Sequence, residues 1–321
     1  MTSFHSYKNL YSYLTKNKLE IVDYDFFKKH IQSYSYYELI NVFQEKTVIN
    51  DLNLNFSTIV NMYEIQRELK DITFKYILRF ESKFEEVLGH ALGEKYGADV
   101  TKIISENVFV SNDINYKKKE VRFYKNQFYS TKLSPTKFYK KNKECVPPWI
   151  FTRNLTISPL VTFYRLTSVK EKVAAIMLYD IEDDYIINEK ILNYFNWALE
   201  IIVTYRNIIA HGTNLILNTS INNYNISDNI FNLFFGENFL ANEVFKNNRN
   251  TSSFITFVAA LGMVLPIEQR IQMTSELQSF IDIKIETHYE DLHLYFQLLN
   301  CPINLKNELS KISNFITIKP L

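Results

Sequence analysis

The segment Arg206-Asn207-Ile208-Ile209-Ala210-His211 carries the residue types best suited to proton and anion chemistry in this 321-residue chain. An imidazole titrates near neutrality and can take up or release a proton. A guanidinium is a permanent planar charge whose several donors suit an anion. The segment closes an apolar helix expected over about 188–211, which Gly212 can end. Leu192, Phe195, Leu199, Ile202 and Ile209 form its buried stripe, and Arg206 falls on the same stripe. A charged group there needs a partner, a hydrated cleft or an anion. Asn207 and His211 are four apart and share a face, whereas Arg206 and His211 are five apart, roughly 140° around the axis. One straight helix does not converge that pair. Two copies meeting across a symmetry axis do it better, and Ala210 and Gly212 are small enough for close approach. Spacing alone favours a plainer account, an interfacial arginine and a C-terminal histidine stabilised by the helix dipole.

The elements that must hold this segment are helical. Ile65, Leu69, Ile72, Tyr76, Phe80, Phe84, Val87 and Ala91 recur at three- and four-residue steps, which predicts a long helix over 58–96. Ser57 is its expected cap and Gly97 its terminator, and a run of this length predicts a break near Gly89 or Gly93. Glu81 lies among Phe74, Leu78, Phe84 and Leu88 on this helix; it can anchor Arg206 or serve as a surface carboxylate. Short helices are expected over 4–16, 24–33 and 36–43, with Asp23 and Ser35 as caps. Further helices are expected at 159–166 and 168–179, before an acidic turn at 180–185. After a loop-like, Asn-rich stretch at 213–253 come helices at 254–264, 267–285 and 286–299, broken by Cys301-Pro302. No alternating strand set and no internal repeat is present, so the predicted class is all-α.

Composition narrows the chemistry. Six Gly and seven Pro are few for this length, which argues against dinucleotide folds and phosphate loops. Cys145 and Cys301 cannot form a disulfide framework or a four-ligand zinc site, and no metal or cofactor is expected. His288 and His293, five apart beside Glu286, Glu290 and Asp291, lack the spacing of a helical metal pair and read as a solvated face. Phe and Tyr are abundant together with Asn, Lys and Ile, which reflects AT-rich codon usage before it reflects function. The longest uncharged apolar run, 254–265, is too short for a bilayer, which takes ~20 residues. The first 18 residues lack an apolar signal core, so a cytoplasmic protein is expected.

Lys plus Arg (36) nearly balances Asp plus Glu (35), which excludes a uniformly basic coat. The balance is an average. Ten of those cations lie within 117–143, where Glu120 is the one acid. Tyr116, Phe123, Tyr124, Phe128, Tyr129, Phe138 and Tyr139 are interleaved, and Pro135, Pro147 and Pro148 interrupt a weak periodicity. The 111–147 stretch therefore reads as an insertion, either solvated or in contact with RNA. Its expected RNA-binding residues are Lys117, Lys118, Lys119, Arg122, Lys125, Lys140 and Lys141, with Tyr124 as a stacking ring.

The segment LNYFNWALEIIVTYRNIIAHGTNLI resembles the closing motif of the Abi-like abortive-infection proteins, the AbiD/AbiF group. These are phage-defence members of the HEPN superfamily, whose signature is an Arg and a His separated by four to six residues. Other blocks follow in order. Tyr34-Ser35-Tyr36-Tyr37-Glu38-Leu39 resembles an early tyrosine-rich turn, and YEIQRELKDITFKYILRFE (63–81) a block of Tyr, Arg-x-Leu and a later Glu. Pro148-Trp149-Ile150, Phe163-Tyr164-Arg165-Leu166 and Asn300-Cys301-Pro302 resemble the remaining blocks. Three positions depart. Gln66 stands where the family usually has an acid, and Lys70 where it often has Arg. Thr213 replaces the Tyr that some HEPN toxins use as an AMPylation target, which speaks against control by a nucleotidyltransferase.

The resemblance implies an HEPN-like helical bundle over 53–216, with additional helices at 1–52 and 217–321. It implies a metal-independent endoribonuclease of a phage-defence or toxin–antitoxin system, acting as a homodimer and restrained by an associated non-coding RNA. His211 suits proton transfer from the 2′-OH and to the leaving oxygen, Arg206 the phosphorane, and Asn207 the orientation of either group or of the scissile phosphate. Glu81 suits the anchoring of Arg206. Two other readings stay open: an RNA-binding module that sequesters RNA without cutting it, and a protein-interaction scaffold.

Overall fold

The computed structural model describes residues 6–17, 19–34, 36–41, 54–177, 189–218, 254–302 and 304–314, and all regular structure among them is helical. In chain order the helices are α1 (Tyr7–Lys16), α2 (Tyr24–Tyr34), α3 (Phe56–Tyr96), α4 (Ile114–Ser130), α5 (Thr136–Asn142), α6 (Pro148–Phe151), α7 (Ile157–Leu166), α8 (Val169–Met177), α9 (Glu189–Ala210), α10 (Phe254–Val264), α11 (Ile267–Leu298) and α12 (Leu305–Ser313). A π-helical turn, Tyr37–Asn41, lies between α2 and α3. Ser35, the acidic turn at 180–185 and most of the 213–253 stretch lie outside the described residues.

α3 is the spine, and its sequence explains its length. Apolar residues recur at helical steps for about eleven turns with no proline to remove a backbone donor. Asn55, rather than Ser57, caps it: Asn55 Oδ1 accepts the Thr58 N–H at 2.8 Å and the Ser57 hydroxyl at 2.7 Å. Gly97, at φ +82°, ends it. The expected break at Gly89 or Gly93 is absent. A Cβ on Gly89 would lie 2.4 Å from the Trp149 Cα, and one on Gly93 2.7 Å from the Trp149 ring. These glycines admit α6 against an unbroken helix.

α4 is the second correction. The 111–147 stretch holds a 17-residue helix capped by Asp113, whose Oδ1 accepts the Asn115 and Tyr116 N–H groups at 2.9 and 3.0 Å. Its buried stripe is only Val121, Tyr124 and Phe128, and the surrounding cations hide that period in the sequence. The two helices expected at 267–285 and 286–299 are present, joined within α11 across a kink at His288 (φ −145°, ψ 48°).

Aromatic packing joins the elements along α9. Phe84 of α3, Tyr164 of α7 and Phe195 of α9 pack with ring centroids 5.5–6.1 Å apart, in edge-on and tilted pairs. α10 is buried from Phe254 to Gly262, and its Phe257 stacks on Tyr205 of α9 at 4.2 Å. α11 lies along α3, cross-linked by Lys75–Glu276, Lys284–Glu68 and the Asn61–Asp291 hydrogen bond. Exposed ion pairs contribute little, so the apolar residues Met273, Leu277, Phe280 and Ile281 hold this seam. Among the described residues no helix is long and apolar enough to cross a membrane.

The two glycine contacts predict different outcomes. Gly93→Ala and Gly89→Ala should each cost about 1–3 kcal/mol in chemical unfolding, the usual range for overpacking. Trp149→Leu should recover part of the Gly93→Ala loss, whose clash is with the ring, and little of the Gly89→Ala loss, whose clash is with backbone. Equal recovery of both in a double-mutant cycle would contradict this packing.

Candidate functional site

α9 ends in a Schellman turn. The Thr213 N–H donates to the Ile208 carbonyl at 3.0 Å and the Gly212 N–H to the Ile209 carbonyl at 3.1 Å, with Gly212 at φ +71°. His211 is the last residue before that glycine and is exposed. Among the described residues, no hydrogen bond or ion pair engages its imidazole. The chain leaving it is held firmly. Lys70 Nζ donates to the Gly212 carbonyl at 3.3 Å. Gln66 Oε1 accepts the Leu215 N–H at 2.8 Å and the Tyr295 hydroxyl at 3.3 Å. Lys70 is a buried cation at the negative end of a helix; burial lowers its pKa, and the Glu38 charge pulls the other way. Gln66 and Lys70 are thus the residues that anchor the backbone beyond His211.

Arg206 lies one and a half turns earlier. Its Nε faces Glu81 Oε2 at 3.7 Å, a charge contact too long for a hydrogen bond, and its Nη1 faces Asn207 Oδ1 at 3.5 Å. These two long contacts orient the guanidinium without saturating its five donors. Asn207 Nδ2 donates to Ser158 Oγ at 3.4 Å. Ile157, the first residue of α7, turns its backbone amide toward Glu81, where a helix N-terminus favours negative charge. Burial raises the Glu81 carboxyl, and Arg206 and the Ile157 amide only partly restore it. One turn further along α3, burial together with the Glu81 charge pushes the Glu85 carboxyl up to about 7, against the pull of Arg153. The cluster therefore offers a guanidinium, an amide, a hydroxyl and two carboxyls of unequal acidity. Among the described residues no group of three or more His, Cys, Asp or Glu is placed to hold a metal ion.

The structure brings Arg206, Asn207 and Glu81 together, and among the described residues no hydrogen bond or ion pair joins the His211 ring to them. It corrects the assignment of Tyr124. That ring is fully buried and packs on Phe109 and Phe163, and its hydroxyl donates to the Pro159 carbonyl at 2.7 Å, so it has no face for a base. Lys118, Lys119, Arg122, Lys125 and Lys141 are exposed, and Lys117 is half-buried. Lys140 is exposed but braces the fold, because its Nζ donates to the Phe128 and Tyr129 carbonyls at 2.9 and 2.8 Å and closes the end of α4. Sequence reasoning missed Ser158 and Glu85. Glu85 carried a signal, its four-residue spacing from Glu81; Ser158 carried none.

The fold and cluster define an all-helical protein with a guanidinium, a carboxylate and an amide gathered at one helix end. The family model described as Abi-like protein matches residues 29–217, more than half of the chain, which therefore belongs to the Abi-like protein family. Membership links the chain to abortive infection, a route of phage defence. No curated protein and no solved structure matches it.

Two outcomes follow from these contacts. Gln66→Leu should lower stability by about 1–3 kcal/mol, because the Leu215 N–H loses its acceptor in a buried setting; unchanged unfolding would contradict the anchoring role. Glu85 keeps its proton in the folded chain while the unfolded chain has lost it, so its contribution to stability declines as pH rises from about 4.5 through about 7. Glu85→Gln should flatten the stability profile across that window, and an unaltered profile would exclude Glu85 as its source.

Proposed function

We propose that this chain is an HEPN-type endoribonuclease of abortive infection or of a toxin–antitoxin pair, cleaving RNA without a metal ion and restrained by an associated non-coding RNA. The observation that carries the reading is the Arg206 guanidinium, fixed by Glu81 and Asn207 yet with donors to spare, on a helix that ends in an exposed His211. Family membership supports the same setting.

The reaction requires a base, an acid and a cation. One imidazole removes the proton of a 2′-hydroxyl, whose oxygen attacks the adjacent phosphorus. The bond from phosphorus to the 5′-oxygen breaks, and that oxygen takes a proton from an imidazolium. The products are a 2′,3′-cyclic phosphate and a 5′-hydroxyl. Arg206 offsets the extra negative charge on the phosphorane, and Asn207 orients the guanidinium or the phosphate. Each chain supplies one His211, so a homodimer with both helix ends on one cleft provides the base and the acid together.

His211→Ala and Arg206→Ala should each lower cleavage by about 100-fold or more. The unfolding midpoint of His211→Ala should stay at the wild-type value, because its imidazole is exposed and makes no hydrogen bond or ion pair among the described residues. Cleavage should persist in EDTA. Full activity in either variant overturns the catalytic assignment, and loss of activity in EDTA overturns the metal-free step. The lack of any hydrogen bond between the His211 and Arg206 side chains among the described residues favours a second reading, an RNA-binding module that sequesters RNA. It predicts tight, salt-sensitive binding without cleavage, dominated by the lysines of 117–143.

A further inference from the structure

The first turn of α7 touches two surfaces at once. The Ile157 amide lowers the pKa of Glu81 and Ser158 Oγ accepts from Asn207, while the Pro159 carbonyl accepts the Tyr124 hydroxyl from α4. α4 is therefore bolted to the turn that supports the Arg206 cluster. Its outer side presents Lys118, Lys119, Arg122 and Lys125, all exposed, and none forms an ion pair with a described residue. Lys140 staples α5 to the end of α4, and Thr136 Oγ1 ties α5 to the Ile150 carbonyl at 3.2 Å.

Beside that staple two rings face water. Tyr129 is 65% and Phe138 52% exposed, while their neighbours Tyr124 and Phe128 are buried. A single exposed ring needs no explanation. Two rings on a hairpin with ten cations and one acid over 117–143 form a surface of matched chemistry. A double helix offers phosphates to the cations, but its bases are stacked on one another and have no face to give. Unpaired nucleotides offer both phosphates and base faces.

We propose that the α4–α5 hairpin is a platform for single-stranded RNA, on which Tyr129 and Phe138 stack unpaired bases while Lys118, Lys119, Arg122 and Lys125 neutralise phosphates. The platform rests on the ribonuclease reading for its direction, since the turn 157–159 joins it to the Arg206 cluster. It deepens that reading by naming the substrate as unpaired RNA.

The test measures binding in the full chain carrying His211→Ala, by fluorescence anisotropy with a labelled 20-nucleotide single strand and with the same strand in a duplex. Tyr129→Ala/Phe138→Ala should weaken single-strand binding roughly tenfold or more and leave duplex binding unchanged. The slope of log affinity against log salt should not move in that variant. Replacing Lys118, Lys119, Arg122 and Lys125 by Ala should reduce that slope by roughly 0.7 per cation. Single-strand affinity that survives loss of both rings, duplex bound as tightly as single strand, or preference for phosphatidylserine vesicles over RNA each overturns the proposal. The two readings fail separately. Wild-type chain that cuts RNA while the ring variant binds and cuts equally well removes only the platform; ring-dependent binding with no cleavage by wild type removes only the nuclease.

Discussion

A guanidinium on a helix face built from leucine, isoleucine and phenylalanine must be met by negative charge, and that requirement organises this molecule. Arg206 needs Glu81, so α9 must pack against α3. The aromatic triangle of Phe84, Tyr164 and Phe195 joins α3, α7 and α9. The pair does not stabilise the fold in any simple way. Both atoms are buried, the contact is long, and the Glu81 carboxyl is raised by its loss of water. Apolar residues of similar size would serve packing as well or better. On the reading proposed above, that charge is there to meet a bound anion.

The same packing recruits α7. Its first turn sets an amide against Glu81, a hydroxyl against Asn207 and a carbonyl against Tyr124, so one turn links the charge cluster to the basic helix. On the far side, Gln66 and Lys70 grip the chain beyond His211 from α3, and Tyr295 of α11 joins Gln66. The histidine thus sits at an exposed helix end between two fixed supports. Its backbone is held while its ring stays exposed.

Much of this was legible in residue order. The long period of α3, the apolar run of α10 and the Arg–Asn–His end of α9 are strong signals because each sets its pattern against a clear background. α4 was hidden for the opposite reason: three buried positions were surrounded by cations that suggest an irregular, solvated segment. Gly89 and Gly93 were misread because a glycine marks either a bend or a close approach, and only Trp149, some sixty residues away in sequence, decides between them. Tyr124 failed similarly, since its neighbours in sequence are charged and its neighbours in space are not. Ser158 and the raised pKa of Glu85 depend on contacts between distant helices and leave almost no trace in local pattern.

The central claim is that the 2′-oxygen of RNA is the nucleophile, activated by His211 and balanced by Arg206. The termini of the products report this directly. Mass spectrometry of a defined oligonucleotide cut by the wild-type chain should find a 2′,3′-cyclic phosphate, or the 3′-phosphate it opens to, on one fragment and a 5′-hydroxyl on the other. A 3′-hydroxyl with a 5′-phosphate would mean that water attacked instead, and would contradict the account.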